Sequence, residues 1–245
     1  MPEDAPPPTA LTWAVAEDAL AEQAQRTAGT LDLGDRYVDR GVLGVGGMGE
    51  VRRVHDRRLD CGVVMKILGR SLVDDARARA RFVNEGTITA QLRHPGIVAV
   101  HDRGELADRR LWYTMSEVDG STLQTTEVAS RDPVALRSWV GVLQRVCDAM
   151  AYAHDHGVLH RDLKPSNLMV GRFGEVMVMD WGIALGREAE REAPGSVLGT
   201  PRYMAPEQAR GEIEAMGPWS DVYSLGLVLY ERLSGRSLVE GPSTE

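Results

Sequence analysis

From Tyr37 onward the apolar positions fall into short extended runs rather than helical stripes. Two such runs flank Gly44, Gly46 and Gly49 within residues 42–51, and the second, through 50–55, carries no helix cap. A strand over 62–68 follows, then an Ala- and Arg-rich segment of helical character over 74–92. Residues 97–100 and 111–115 read as two further strands around a polar turn. The longest helical stretch, 133–156, opens on Pro133 at a first turn. It carries Leu136, Val140, Leu143, Val146, Met150 and Ala153 on one apolar face, with Cys147 and the nearby aromatic residues as packing, and it ends near Gly157. Short apolar runs at 168–170 and 176–179 are strand-like. Leu225, Leu227, Val228 and Leu229 lie on a last helix that also bears Asp221. No internal repeat interrupts this order.

Ahead of the strands, residues 1–10 hold four prolines and little to bury, and read as disordered. Residues 11–26 are Ala-rich with Thr12 as a cap candidate, and fit either a docking helix or a fraying arm, the arm being the simpler case. Ala28, Gly29 and Thr30 form a break. The chain has 245 residues, enough for one large domain or two small ones with real cores. Its 43% apolar and 26% charged residues are those of an ordinary globular protein. No run approaches the ~20 apolar residues of a membrane helix. A net charge of -8 argues against nucleic acid as a partner. Cys61 and Cys147 suggest no disulfide framework, so a reducing compartment fits. The acidic, Pro-rich start is the opposite of a signal peptide, and the expected location is the cytoplasm.

The chemistry concentrates in His160-Arg161-Asp162-Leu163-Lys164-Pro165-Ser166-Asn167 and in Asp180-Trp181-Gly182. Pro165 lacks a backbone donor and biases Lys164 away from helical angles, so the first run is a loop. Asp162, Asn167 and Asp180 can then converge, and their oxygens suit a hard cation such as Mg²⁺. Any one of these residues alone fits a solvated charged loop; the whole string in this order does not. The glycine motif alone also occurs in dinucleotide-binding folds, but there it opens a helix. With an extended segment after it, the glycines sit at the tip of a β-hairpin, where backbone N–H groups can approach an anion. Lys66 stands in an apolar strand and needs a partner, because an unpaired buried charge is very costly. Glu85 is the acid of the segment that follows. Gly86 costs that helix about 1 kcal/mol against alanine, so the helix is expected to be loosely held.

These residues resemble the catalytic loop, H-R-D-x-K-P-x-N, and the metal-binding D-F-G turn of eukaryotic-like protein kinases, most nearly the bacterial serine/threonine kinases, over roughly 37–235. The resemblance implies an α+β bilobal fold. Residues 1–35 would be an extension and 36–115 an N-lobe with a small antiparallel sheet and one main helix. Residues 116–120 would be the hinge, and 121–245 a mainly helical C-lobe lacking its last helices. ATP and Mg²⁺ are implied, with protein Ser/Thr hydroxyls as acceptors. By the same likeness Leu43, Gly44, Val45, Gly46, Gly47, Met48 and Gly49 cover the nucleotide, and Val51, Val64 and Met169 sandwich the adenine. Met115 is the gatekeeper, and the backbones of Ser116 and Val118 meet the adenine edge, although an ordinary strand and turn also fits these residues. Lys66, paired with Glu85, holds the α- and β-phosphates. Asp162 orients the acceptor hydroxyl, Lys164 lies on the γ-phosphate, and Asn167 and Asp180 hold Mg²⁺.

Lys164 favours serine or threonine over tyrosine as acceptor. The run from Gly199 to Glu207 resembles the end of an activation segment, with Thr200 bonded to Asp162 and Lys164 and Asp221 bracing the loop from below. Arg161 would be a buried cation wanting an anion, and Ser196, then Thr200, is the expected autophosphorylation site. Trp181 replaces the usual phenylalanine and could bias Asp180, and Val64 replaces alanine, tightening the adenine pocket. A later arginine that normally pairs with the acid matched by Glu207 has no counterpart, leaving Glu207 solvated or unpaired. The helix of Leu225, Leu227, Val228 and Leu229 would expose apolar surface to a partner or a missing segment. The alternatives are a nucleotide-binding pseudokinase-like regulator, an inactive fragment and a small-molecule phosphotransferase.

Overall fold

Strand β3 (Cys61–Leu68) is apolar on both faces because it is the centre of a two-sided lobe. Val63, Met65 and Ile67 pack outward with Leu33, Tyr37 and Val54. Val64 and Leu68 pack inward with Phe82, Tyr113 and Met115. The computed structural model describes residues 31–125, 133–186 and 197–239. Around β3 lie β1 (Tyr37–Gly46), β2 (Gly49–Asp56), β4 (Val100–Glu105) and β5 (Leu111–Met115), antiparallel in the order β1-β2-β3-β5-β4. Leu31 and Leu33, which the expected division assigns to the extension, pack on the outer face of this sheet. The Ala-rich segment over 11–26 lies outside the described residues.

Helix α1 (Ala76–Gln91) leans on the inner face. Asp75 starts it, its carboxylate accepting from the amides of Arg77 and Ala78 at 2.8 and 3.1 Å. Gly86 of this helix faces Tyr113. A Cβ there would lie 3.3 Å from Cδ1 of Tyr113, so the glycine lets an aromatic ring pack tightly on the helix. The strand expected at 97–100 is misplaced, since β4 begins only at Val100. Ile97 and Val98 are apolar because they bury between the lobes, Ile97 bridging to Val178 and Val98 donating to its carbonyl.

The second lobe is built on α2 (Pro133–Asp155), a small sheet of β6 (Gly120–Thr122), β7 (Leu168–Gly171) and β8 (Val176–Val178), then α3 (Pro206–Ala209) and α4 (Pro218–Ser234). Its core gathers Val142, Val146, Ala149, Met150 and Ala153 of α2 with Leu163, Leu168, Trp181, Leu225 and Val228. The expected face of α2 supplies Val146, Met150 and Ala153 to this core, but Val140 is 63% exposed, and Cys147 is exposed rather than packed.

Helix α4 corrects two further expectations. Of the four residues expected to be exposed only Leu229 is; Leu225, Leu227 and Val228 are buried, and Leu229 joins Trp219, Val222, Tyr223, Tyr230 and Leu233 in an exposed stripe at helical spacing. Glu207 is half-buried rather than fully solvated, and Ser220 Oγ donates to its Oε1 at 2.6 Å where the sequence offered no matching arginine. The architecture is α+β and bilobal, an antiparallel sheet with one helix above a mainly helical lobe.

Candidate active site

The hairpin tip is set by one backbone requirement. Gly49 has φ +147°, and a Cβ on it would fall 2.0 Å from the Ile67 carbonyl oxygen, so only glycine lets β2 lie against β3 there. Residues Gly44 through Gly49 then form one wall of a cavity of about 310 Å³ between the lobes. Val51, Lys66, Glu85, Met115, Asn167 and Asp180 line the same cavity. Leu43, Val64, Val118 and Met169 do not line the cavity but belong to the apolar cluster that contains Val51 and Met115. Ser116 donates its amide to the Ala99 carbonyl at 2.9 Å and does not line the cavity.

Lys66 Nζ lies 2.5 Å from Glu85 Oε1 and 3.3 Å from Asp180 Oδ1. Burial works against the ammonium, but Asp180 and Glu85 outweigh it and raise its pKa well above the ordinary lysine value. Lys66 in turn holds the Asp180 carboxyl well below the usual carboxylate range. Burial pushes Glu85 the other way, upward, with Lys66 offsetting only part of it. Asp180 sits at φ +56°, a left-handed conformation that the surrounding contacts hold in place. Trp181, behind it, is 1% exposed and packs 4.6 Å from the His160 ring, so its bulk has gone into the core without turning Asp180 out of the cavity.

The acidic loop is braced by α4. Asp221, fully buried, accepts from the amides of His160 and Arg161 at 2.9 and 2.8 Å and contacts His154 Nε2 at 2.8 Å. Arg161 is buried with its Nε donating to the Ile183 carbonyl at 2.7 Å. Lys164 is extended, as the following proline requires, and Pro165–Asn167 forms one 3₁₀ turn. Four donors converge on the Asp162 carboxylate. The Thr200 amide and hydroxyl meet Oδ1 at 2.9 and 2.8 Å, and Lys164 Nζ and Asn167 Nδ2 meet Oδ2 at 2.8 and 3.3 Å. Lys164 Nζ also donates to Thr200 Oγ1 at 2.9 Å. Asn167 Nδ2 further donates to the Asp162 carbonyl at 2.8 Å, and its amide oxygen takes no donor among the described residues. Asn167 thus offers an oxygen and Asp180 a carboxylate to one cavity. That donor set fits Mg²⁺, which needs one or two protein oxygens beside phosphates, and no cluster of three or more His, Cys, Asp or Glu among the described residues suits a softer metal.

The sequence did not single out Thr89, Val98, Tyr113, Ser166 or Met179 as lining residues. Tyr113 had a signal: it alternates with Met115 on one strand and so shares its face.

Residues 37–245 match the family described as protein kinase domain. The chain belongs to the protein kinase family. Among curated relatives it is similar to the serine/threonine-protein kinase PknB of Mycolicibacterium smegmatis, 41% identical over 219 residues, covering 86% of this chain and 34% of that protein. PknB of Mycobacterium tuberculosis is 40% identical over the same shares. The serine/threonine-protein kinase PknD of Chlamydia trachomatis is 36% identical over 232 residues, covering 81% of this chain and 24% of that protein. This kinase chain therefore spans about a third of the length of the PknB relatives it matches. Protein kinases as a family use ATP and Mg²⁺. No helix among the described residues of this kinase is long and apolar enough to cross a membrane.

Proposed function

We propose that the chain is an ATP-dependent serine/threonine protein kinase. The observation that carries this is one cavity walled by the glycine hairpin and lined by Lys66, Asn167 and Asp180, with Asp162 bonded directly to Asn167. Phosphoryl transfer needs positioning and neutralised oxygen charge more than covalent help from the protein. Gly44 through Gly49 lie over the triphosphate, and Lys66, steered by Glu85, meets its α- and β-phosphates. Val51, Val64 and Met169 hold the adenine, while Met115, Ser116 and Val118 bound its edge. Asn167 and Asp180 would hold Mg²⁺, which would supply positive charge to neutralise phosphate oxygens.

Asp162 orients the acceptor hydroxyl and takes its proton as the new O–P bond forms and the bond to the β-phosphate's bridging oxygen breaks. Lys164 lies on the γ-phosphate, and Thr200 fixes Asp162. The relatives' names, with the Lys164 and Thr200 contacts to Asp162, support serine and threonine over tyrosine as acceptor. Ser196 lies outside the described residues and is retained as the autophosphorylation site; the Thr200 hydroxyl is already committed to Asp162 and serves the loop better than it serves as a target. The proposed division is 1–35, 36–115, 116–120 and 121–245. The setting is the cytoplasm, in keeping with two unpaired cysteines. The exposed stripe of α4 is a surface for a further segment or a partner.

The test is incubation of the chain with radiolabelled ATP, Mg²⁺ and a generic basic protein, beside Asp162→Asn. Label on serine and threonine of protein, falling about 10²- to 10⁴-fold in the variant, is expected for loss of a general base. ATP binding without transfer would favour a pseudokinase, and label only on a small metabolite would favour a small-molecule phosphotransferase.

A further inference from the structure

We propose that Tyr113 is a positioning residue for this reaction, its hydroxyl latching Glu85 so that α1 stays seated on the sheet and the Lys66 ammonium is aimed before nucleotide arrives. The proposal rests on the kinase reading above. Lys66 and Tyr113 are direct cross-strand partners in β3 and β5, so both side chains leave the same face. Both reach one atom of α1, Glu85 Oε1, the ammonium at 2.5 Å and the phenol at 2.7 Å. Glu85 is 1% exposed, and its other oxygen, Oε2, is buried with no donor among the described residues. A buried carboxylate in that position depends heavily on the donors it has.

The two donors differ in what else they do. Lys66 also contacts Asp180 at 3.3 Å and is the group that reaches for phosphates, so its hold on Glu85 is shared. Tyr113 has a single proton and a single taker. Before nucleotide arrives, Lys66 divides its contacts between Glu85 and Asp180, and the phenol keeps Glu85 supplied and α1 in place. Burial, together with the Glu85 charge, raises the Tyr113 pKa well above its ordinary value, which keeps that proton on the oxygen.

The surroundings are shaped for the ring. Tyr113 is 4% exposed and packs 5.3 Å from Phe82, one turn before Gly86. The space left by a missing Cβ at Gly86, which would sit 3.3 Å from the ring, is what admits it. A helix glycine that costs stability is thereby tied to the group that holds the helix's acid. Phenylalanine would fill the same volume, so the hydroxyl is the atom to test.

The experiment compares wild type with Tyr113→Phe in two measurements. The first is hydrogen exchange of α1 amides in the nucleotide-free chain and with a saturating, non-hydrolysable ATP analogue and Mg²⁺. The second is the ATP dependence of transfer to a basic protein. Tyr113→Phe is expected to speed α1 exchange about 10-fold without nucleotide and to lower kcat/KM for ATP about 10-fold, the size of one hydrogen bond to a charged group. The exchange difference should close when the analogue is bound, with β1 to β3 unchanged throughout. Exchange in α1 within twofold of wild type, or equal acceleration across β1 to β3, overturns the latch. A wild-type chain that transfers no phosphate would sink the kinase reading, while the exchange comparison would still decide the role of Tyr113.

Discussion

A single hydrogen atom decides whether β2 can lie against β3 at position 49. Gly49→Ala would drive a methyl into the Ile67 carbonyl at a φ that L-residues avoid, and should cost about 2 kcal/mol or more. In a chain of this size that is a fall in Tm of roughly 5 °C or more, readable by thermal denaturation. Gly47→Ala meets nothing within 4 Å, so the fold should hold its Tm. Its methyl faces the space a phosphate would use, and the expected loss is a higher KM for ATP. Equal effects of the two changes on Tm would contradict this account of the hairpin. At this scale the sequence was unusually legible. That Lys66, Asn167 and Asp180 come to one cavity, with Asp162 bonded to Asn167, was readable from the order of the motifs, because Pro165 makes the acidic run a loop and Lys66 in an apolar strand needs a partner. Tyr113 was not legible, since an aromatic residue in a strand reads as packing until Glu85 is seen at its hydroxyl.

Elements were legible where one face is buried and ambiguous where both lobes share a segment. The strands β2, β3 and β7 and the body of α1 follow their patterns closely. Ile97 and Val98 look like a strand because they are apolar, yet they are apolar as a plug between lobes. On α2 the pattern found Val146, Met150 and Ala153 but also drew in Val140 and Cys147, which are apolar without being buried. What no pattern announces is the ionic stitching between elements. Asp56 closes the β2–β3 turn, accepting from the amides of Arg58 and Leu59 at 2.8 and 3.3 Å, and is gripped by Arg36 Nε and Nη2 at 3.0 and 2.7 Å. The Arg36 hydrogen bonds chiefly bring its pKa down to about 2, below the ordinary aspartate value. A carboxyl whose folded-state pKa is depressed stabilises the fold above its unfolded pKa, and the contribution is lost as pH falls through the folded pKa. The Tm difference between wild type and Asp56→Asn should therefore be full above about pH 4 and shrink toward pH 2. A difference that stays constant over that range would contradict the assignment.

At the scale of the molecule, two lobes meet on one cavity, and a stripe of α4 stays in solvent. Trp219, Val222, Tyr223, Tyr230 and Leu233 are each at least 40% exposed on one side of that helix, an arrangement prone to association. Val222→Lys with Leu233→Glu should reduce self-association of this chain, measured by light scattering, with its circular dichroism unchanged. Scattering that stays at the wild-type level would place the sticky surface elsewhere. The sequence correctly predicted an apolar surface on this helix and misjudged which side bears it, because period alone does not say which stripe faces α2. In the proposed reaction the glycine hairpin and the acidic loop close on one magnesium-bound triphosphate. A crystal structure of the chain with Mg²⁺ and a non-hydrolysable ATP analogue tests this most directly. The expected result is a triphosphate beneath Gly46 through Gly49 with Lys66 Nζ in hydrogen-bonding contact, and a metal ion shared by Asn167 Oδ1 and the Asp180 carboxylate. Nucleotide bound outside that cavity, or a metal held by neither residue, would contradict it.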